Sequence, residues 1–370
     1  MNIMKVGIIG CGNISGIYLH NNQLFNIFEI IACADLEIER AKQQAKKYNI
    51  PYACTVAELL AMEEIQLVIN LTVPLAHAEV CLSVLEAGKH IYVEKPLAVT
   101  REDGLKILHK AKEKGLLVGG APDTFLGGGI QTCRKLIDDG LIGEPVAGTA
   151  SIMSHGPEGW HPDPTFFYQI GGGPMFDMGP YYLSTLIHLL GPIHRVSGST
   201  SMALKERLVT SETNYGKKIK VNIPTHISGV LDFENGAVVS LTTSFDVWHH
   251  HVPNIEIYGT AGSLVVPDPN TFDGPVYVRR KEDSEWLKIP LTHGFIENSR
   301  GIGVADMANG ILNNTSYRAN GDVMYHVLEV MHGFHDASQS GQYYELQSTC
   351  EQPKPLPCGI NQHNFGEMMK

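Results

Sequence analysis

The sequence predicts an α/β protein: a doubly wound parallel sheet first, then a second unit dominated by antiparallel strands. Three observations predict it. Apolar runs of strand length alternate with helix-length stretches as far as residue 119. A glycine-rich turn, Gly10-Cys11-Gly12-Asn13-Ile14-Ser15, follows the first of those runs. From residue 145 onward, strand-like runs succeed one another across tight turns such as Glu234-Asn235-Gly236, which implies antiparallel neighbours.

Each element follows from its residues. The run IMKVGII (3–9) is the first strand, and it ends at Gly10. Gly10 permits a tight turn, Gly12 allows backbone to approach a pyrophosphate, and Ser15 is small enough for close helix–strand packing. The next strand, FEIIACAD, ends in Asp35. A carboxylate there accepts hydrogen bonds from adenosine ribose hydroxyls and repels a 2′-phosphate. No arginine immediately follows it, so NAD is expected over NADP; the structural alternative is that Asp35 caps the following helix. Helices are predicted over 37–48, 55–62, 76–87 and 101–114, and strands near 52–54, 65–71, 90–93 and 116–119. Ligands of such sheets lie beyond the C-terminal strand ends. That rim carries Gly10, Gly12, Asp35, Thr72, Pro74 and Glu94-Lys95, with Asn13, Ile14 and His77 as further cofactor contacts.

A lysine directly after a buried strand and before Pro96 is poorly explained as a solvated charge. Lys95 is expected to face a substrate oxygen and stabilise alkoxide character, with partial burial lowering its pKa. The stretch GGGPMFDMGPYYL (171–183) brings a carboxylate, Asp177, and a phenol, Tyr181, to the start of a helix running through 181–190. Beside Lys95, the Tyr181 phenolate would be stabilised and its pKa drawn from about 10 toward neutrality. Such a phenol can take the hydroxyl proton of a secondary alcohol as hydride leaves the carbon. Tyr182 points to another helix face and reads as packing.

Together GCGNIS, TVPLAHAE, VEKP, LIDDGLIGEP, GGGPMFDMGPYYL, IEIYGTAGSL and YHVLEVMHG, in this order, resemble the glucose–fructose oxidoreductase / inositol dehydrogenase (Gfo/Idh/MocA) family. The resemblance implies an NAD-binding Rossmann domain over 1–122. It also implies a substrate-binding and oligomerising α/β domain over 123–370, built on a large, mostly antiparallel, open-faced sheet. It further implies that Asp177 and the residue at 181 form a catalytic pair acting with Lys95. Where many members carry histidine, this chain has Tyr181, as some members do. The Asn-Arg pair often found near 123 is replaced by Asp123-Thr124, so a different substrate group is read there.

Substrate-side candidates are Asp123, His155, Trp160, His161 and His249: an indole for a sugar's C–H face and imidazoles for its hydroxyls. His249-His250-His251 follow a predicted strand end, where alternation would point the outer two the same way, but no ligand spacing makes them a metal site and none is assigned. Arg300, Asp306 and His326 lie on segments that can reach the cleft. A net charge of −11 argues against nucleic acid or an anionic membrane as partner. No apolar run spans a bilayer, the first strand leaves no room for a signal peptide, and the seven cysteines lack Cys-x-x-Cys spacing. A cytoplasmic homodimer or homotetramer is expected, held by an apolar sheet face. The expected activity is NAD-dependent oxidation of a secondary hydroxyl of a sugar, polyol or glycoside. The alternatives are a glycosidase or lyase using NAD in a redox-neutral oxidation–elimination cycle, and a non-catalytic NAD sensor.

Overall fold

The computed structural model describes residues 3–362 and 364–369. Six strands, β1 (Met4–Ile9), β2 (Phe28–Ala34), β3 (Tyr52–Cys54), β4 (Leu67–Asn70), β5 (His90–Val93) and β6 (Val118–Gly120), form one sheet in the order 3-2-1-4-5-6. Every pair in it is parallel. All four residues of β4 are buried, as expected where helices cover both faces. Those helices are α1 (Ser15–Asn21), α2 (Ile38–Tyr48), α3 (Val56–Ala61), α4 (His77–Glu86) and α5 (Arg101–Lys114). Their ends are written locally. Thr55 and Glu58 form a capping box on α3. The Thr100 hydroxyl caps Asp103 N–H of α5, and Gly115 stops that helix at φ +65°. The strand order reverses between β1 and β4, so a cleft opens above their C-terminal ends.

The second sheet is built from β7 (Pro145–Met153), β8 (Ile193–Ser201), β11 (His226–Phe233), β12 (Val238–Ser244), β13 (Ile255–Gly259), β14 (Gly262–Val266), β15 (Val276–Arg280), β16 (Leu287–Ile289) and β17 (Tyr344–Glu345). Its order is 16-15-14-13-7-12-11-8-17, and only the β7–β12 pair is parallel. A separate hairpin joins β9 (Glu206–Leu208) to β10 (Lys218–Lys220). Around the sheet lie α6 (Gly128–Asp138), α7 (Gly173–Leu190), α8 (Ile302–Asn313), α9 (Gly321–Ser340) and the short α10 (Phe365–Met368).

Helices α7 and α9 cover one face of this sheet. Gly198 on β8 and Gly229 on β11 are paired directly opposite one another, and Phe334 of α9, fully buried, packs onto both. A Cβ at Gly198 would stand 2.7 Å from the Phe334 carbonyl oxygen, so glycine is what allows α9 to approach. The opposite face corrects an expectation. Its cross-strand rows read Ser199–Ser228–Thr242–Ser151 and Ser197–Val230–Ser240–Thr149. It is a hydroxyl-rich surface, so apolar area is not the ground for association there.

Other differences have local causes. The helix expected over 181–190 begins at Gly173, because Pro174 is well suited to the first turn, and Asp177 therefore lies inside it. Helix α8 went unassigned because it is buried on nearly every side and shows no polar stripe. The tail packs onto the body: Leu356 N–H donates to Gln131 Oε1 at 2.7 Å, Arg134 donates to the Pro353 carbonyl at 3.0 Å, and Phe365 is buried against Phe25 and Phe295. Among the described residues no helix is long and apolar enough to cross a membrane. Phe334→Ala should destabilise the fold by about 3–5 kcal/mol, through the cavity left over Gly198 and Gly229; urea unfolding followed by circular dichroism measures it.

Candidate active site between the two sheets

The cofactor turn is held by its own backbone. Gly10 has φ +101°, and a Cβ there would meet the Leu71 carbonyl carbon at 2.7 Å, so the turn between β1 and α1 admits no side chain. Gly12 faces open space. The Ser15 hydroxyl donates to the Gly12 carbonyl at 2.6 Å. Asp35 accepts from Cys11 N–H at 2.7 Å and from Glu37 N–H at 2.9 Å, which fixes its carboxylate at the rim. A cavity of about 530 Å³ is lined by Gly10, Gly12, Asp35, Thr72, Glu79 and Arg40, among others. Gly12, Asp35 and Thr72 suit a dinucleotide: open backbone where a pyrophosphate would pass, and a carboxylate near a ribose. Arg40, in the first turn of α2, is a further cation on this cavity, not expected from the sequence. Asn13 and Ile14 lie exposed on the turn.

His77 does something other than expected. It is fully buried, with Nδ1 2.7 Å from the Pro96 carbonyl and Nε2 3.0 Å from the Thr72 carbonyl. Both ring nitrogens are occupied by backbone, so the imidazole ties the lysine loop to the Thr72 loop and has no nitrogen left for a cofactor.

The central cluster joins residues 82 positions apart. Lys95, at the end of β5, donates from Nζ to the Asp177 carbonyl at 2.6 Å and to Asp177 Oδ1 at 3.0 Å. The same nitrogen lies 5.2 Å from the centre of the Tyr181 ring, one helical turn further along α7. Glu94 is buried and accepts from the Tyr18 hydroxyl at 2.9 Å and from Lys95 N–H at 3.0 Å. Tyr18 was missed in the sequence, although it falls one turn after Ser15 on the helix face that must pack against the sheet.

Electrostatics correct two expectations. Burial alone would lower the Lys95 ammonium, but Asp177, then Tyr181 and Glu94, more than offset it and hold Lys95 above its ordinary value. For Tyr181 burial dominates and raises the phenol; the nearby Lys95 and Arg300 cations reduce that rise without reversing it. At neutral pH both groups therefore hold their protons.

Asp123 is not placed to read a substrate. It is 1% exposed, and its Oδ2 accepts from Gly301 N–H at 2.8 Å and Gly303 N–H at 3.1 Å, anchoring the start of α8. The remaining candidates sit on loops at one end of the second sheet. His155 stacks on Trp248 with ring centres 3.3 Å apart. Trp160 is 68% exposed and meets His161 edge-on at 5.5 Å. Buried Arg207 clamps these loops, pairing with Glu158 at 3.1 Å and with Asp246. β12 ends at Ser244, so His249 lies on an exposed loop and strand alternation does not apply to it. Among the described residues no group of three or more His, Cys, Asp or Glu is arranged to hold a metal ion.

A lysine whose folded pKa is raised contributes stability that is complete below its unfolded value and is lost only as pH rises through the folded one. Lys95→Met should therefore cost about 3 kcal/mol, by stranding Asp177, and the cost should stay flat from about pH 6 to about 9. Denaturant midpoints across that range test it; a cost that vanishes at the alkaline end would show that the pair does not carry the charge.

Comparison with known proteins gives concordant matches. Residues 4–120 match the oxidoreductase family, NAD-binding Rossmann fold, and residues 130–265 match the GFO/IDH/MocA C-terminal domain. The chain is 26% identical over 313 residues to dTDP-3,4-didehydro-2,6-dideoxy-α-D-glucose 3-reductase of Actinomadura kijaniata, covering 82% of this chain and 88% of that protein. It is 24% identical over 276 residues to D-glucoside 3-dehydrogenase of Escherichia coli K12, covering 71% and 77%. An NAD-binding oxidoreductase from Klebsiella pneumoniae superimposes with a TM-score of 0.80 at 21% identity, over 93% of this chain and 99% of the other. A parallel sheet in the order 3-2-1-4-5-6, a glycine turn under a dinucleotide-sized cavity and a lysine reaching into the second sheet's first long helix agree with those matches: the chain belongs to the Gfo/Idh/MocA family of NAD-binding oxidoreductases.

Proposed function

We propose that this chain transfers a hydride between a nicotinamide cofactor, NAD, and the carbon bearing a secondary hydroxyl of a sugar, polyol or glycoside. One observation carries the reading: an ammonium from the first sheet meets a carboxylate and a phenol from the second. Bound in the cleft, the nicotinamide supplies the hydride donor or acceptor. Lys95 then binds the reacting oxygen and stabilises its negative character, Tyr181 exchanges the hydroxyl proton, and Asp177 holds the ammonium in place. Desolvation by the surrounding side chains strengthens each of these interactions. Because Lys95 and Tyr181 are both protonated at rest, the site is poised to donate protons to a carbonyl. In the opposite direction the phenol must first ionise, so alcohol oxidation should speed up with rising pH while carbonyl reduction should not. The names of the two relatives above, a reductase and a dehydrogenase of glucose derivatives, support the substrate class. Exposed Trp160, backed by His161, supports it too, as a face on which a sugar can stack.

Asp35 favours NAD, and Arg40 is the residue that would serve a 2′-phosphate. Asp35→Ser should shift binding toward NADP by about tenfold or more, read by calorimetry with each nucleotide. Activity is tested with a panel of polyols, aldoses and glycosides, following nicotinamide absorbance and released aglycone together. Tyr181→Phe and Lys95→Ala should each remove at least 99% of turnover, about 3 kcal/mol of transition-state stabilisation, and leave nucleotide binding within about twofold. Full activity in either variant, or aglycone release without any nicotinamide reduction, would overturn the reading.

A further inference from the structure

His77 faces two hydrogen-bond acceptors, one at each ring nitrogen. The ring is fully buried, with Nδ1 2.7 Å from the Pro96 carbonyl oxygen and Nε2 3.0 Å from that of Thr72. A carbonyl oxygen only accepts, and a neutral imidazole has a single N–H. In the neutral ring one of the two contacts therefore sets a lone pair against a lone pair. Turning the ring over would bring carbons against both oxygens. Only the imidazolium donates to the two carbonyls at once.

The surroundings decide which contact the neutral ring keeps. The Pro96 contact is the shorter and the more deeply buried, so Nδ1 holds the proton. Nε2 is then bare toward Thr72, a half-buried residue whose carbonyl can turn to solvent. Thr72 is otherwise held by Asn70, whose Oδ1 accepts from Thr72 N–H at 3.1 Å and from its hydroxyl at 2.7 Å. The same loop closes on the glycine turn, where a Gly10 Cβ would stand 2.8 Å from the Thr72 nitrogen, and Thr72 lines the cofactor cavity. Pro96 directly follows Lys95. The imidazole thus spans the cofactor cavity and the lysine loop.

We propose that His77 is a positioning residue that sets the Thr72 loop against the lysine loop, through one hydrogen bond when neutral and two when protonated, so that a proton and the dinucleotide bind cooperatively. The step is the gain of a solvent proton at Nε2, with no covalent or redox change. Burial holds the imidazole below its ordinary pKa; the Pro96 and Thr72 carbonyls and the Glu94 carboxylate act against burial, and Lys95 acts with it. Both charged groups come from the lysine loop. From β4, neutral Asn70 donates to the His77 carbonyl at 3.2 Å and to the Cys81 thiol at 3.4 Å, and burial pushes that thiol up to about 12. A loop already tied costs less to order when the dinucleotide closes on it. The dinucleotide therefore raises the pKa of the ring, and by reciprocity its own affinity rises as pH falls.

The histidine itself reports the outcome. In protein carrying nitrogen-labelled histidine, NMR separates a bare ring nitrogen from a protonated one, with His77 assigned through its backbone amide. At about pH 8 the ring should hold its proton on Nδ1 alone, and Nε2 should gain a second as pH is lowered toward about 5. Saturating NAD should move that titration up by about half a pH unit or more, and NAD affinity measured by calorimetry should rise about threefold or more over the same range. His77→Gln, which keeps an amide donor but does not titrate, should flatten the pH dependence of affinity. A proton on Nε2 alone at about pH 8, a ring that keeps one charge state throughout, or a titration that NAD leaves in place overturns the proposal. These readings come from the wild-type chain, so they stand even where His77→Gln fails to fold. The cofactor cavity enters here and the hydride chemistry does not: if the wild-type chain turns over no sugar, the functional reading falls, while the histidine titration still decides what His77 does.

Discussion

The ammonium of Lys95 is the point at which the two halves of this protein become one site. It reaches from the C-terminal end of β5 to both the side chain and the backbone carbonyl of Asp177 in α7. Each partner alone is a half-buried group with unmet bonding capacity, which would be unfavourable away from water. Together they fix the distance between the first sheet and the second sheet's longest covering helix save α9, and that distance sets where Tyr181 stands.

The surroundings of this pair are built to keep it rigid. Pro96 follows the lysine, and its carbonyl is held by buried His77, whose other nitrogen meets the Thr72 loop. Glu94 precedes the lysine and is held by Tyr18 from α1. The lysine backbone is thus clamped from both sides, and the Thr72 loop on one of them also lines the cavity over the glycine turn, so lysine and cavity share one frame. A misplacement of about 1 Å in such an arrangement is enough to cost two orders of magnitude in rate.

Charge in the centre is balanced by placement more than by number. Lys95 is neutralised by Asp177, and Glu94 is held by neutral donors. Burial opposes the Lys95 ammonium but is outweighed, first by Asp177, while it favours the neutral Tyr181 phenol, so both groups keep their protons.

Much of this was legible in the chain itself. The parallel sheet, the glycine turn, Asp35 at the end of β2, and the lysine at the end of β5 follow from local features: apolar runs with buried faces, turn glycines and residues at strand ends. These features depend on neighbours a few positions away, and such short-range patterns survive in one dimension. Among the elements missed, α8 and the β9–β10 hairpin owe their burial to distant partners, so their periodicity carries no sign of it. The errors share that origin. Asp123 looks like a ligand-reading carboxylate until α8 folds back and takes both its bonds, and His77 looks like a cofactor contact until two carbonyls far apart in sequence close on its ring. Residue types and their local order determined which chemistry is present; only the tertiary structure decided which groups are left free to perform it, because desolvation and pairing are properties of a surrounding volume and not of a sequence position.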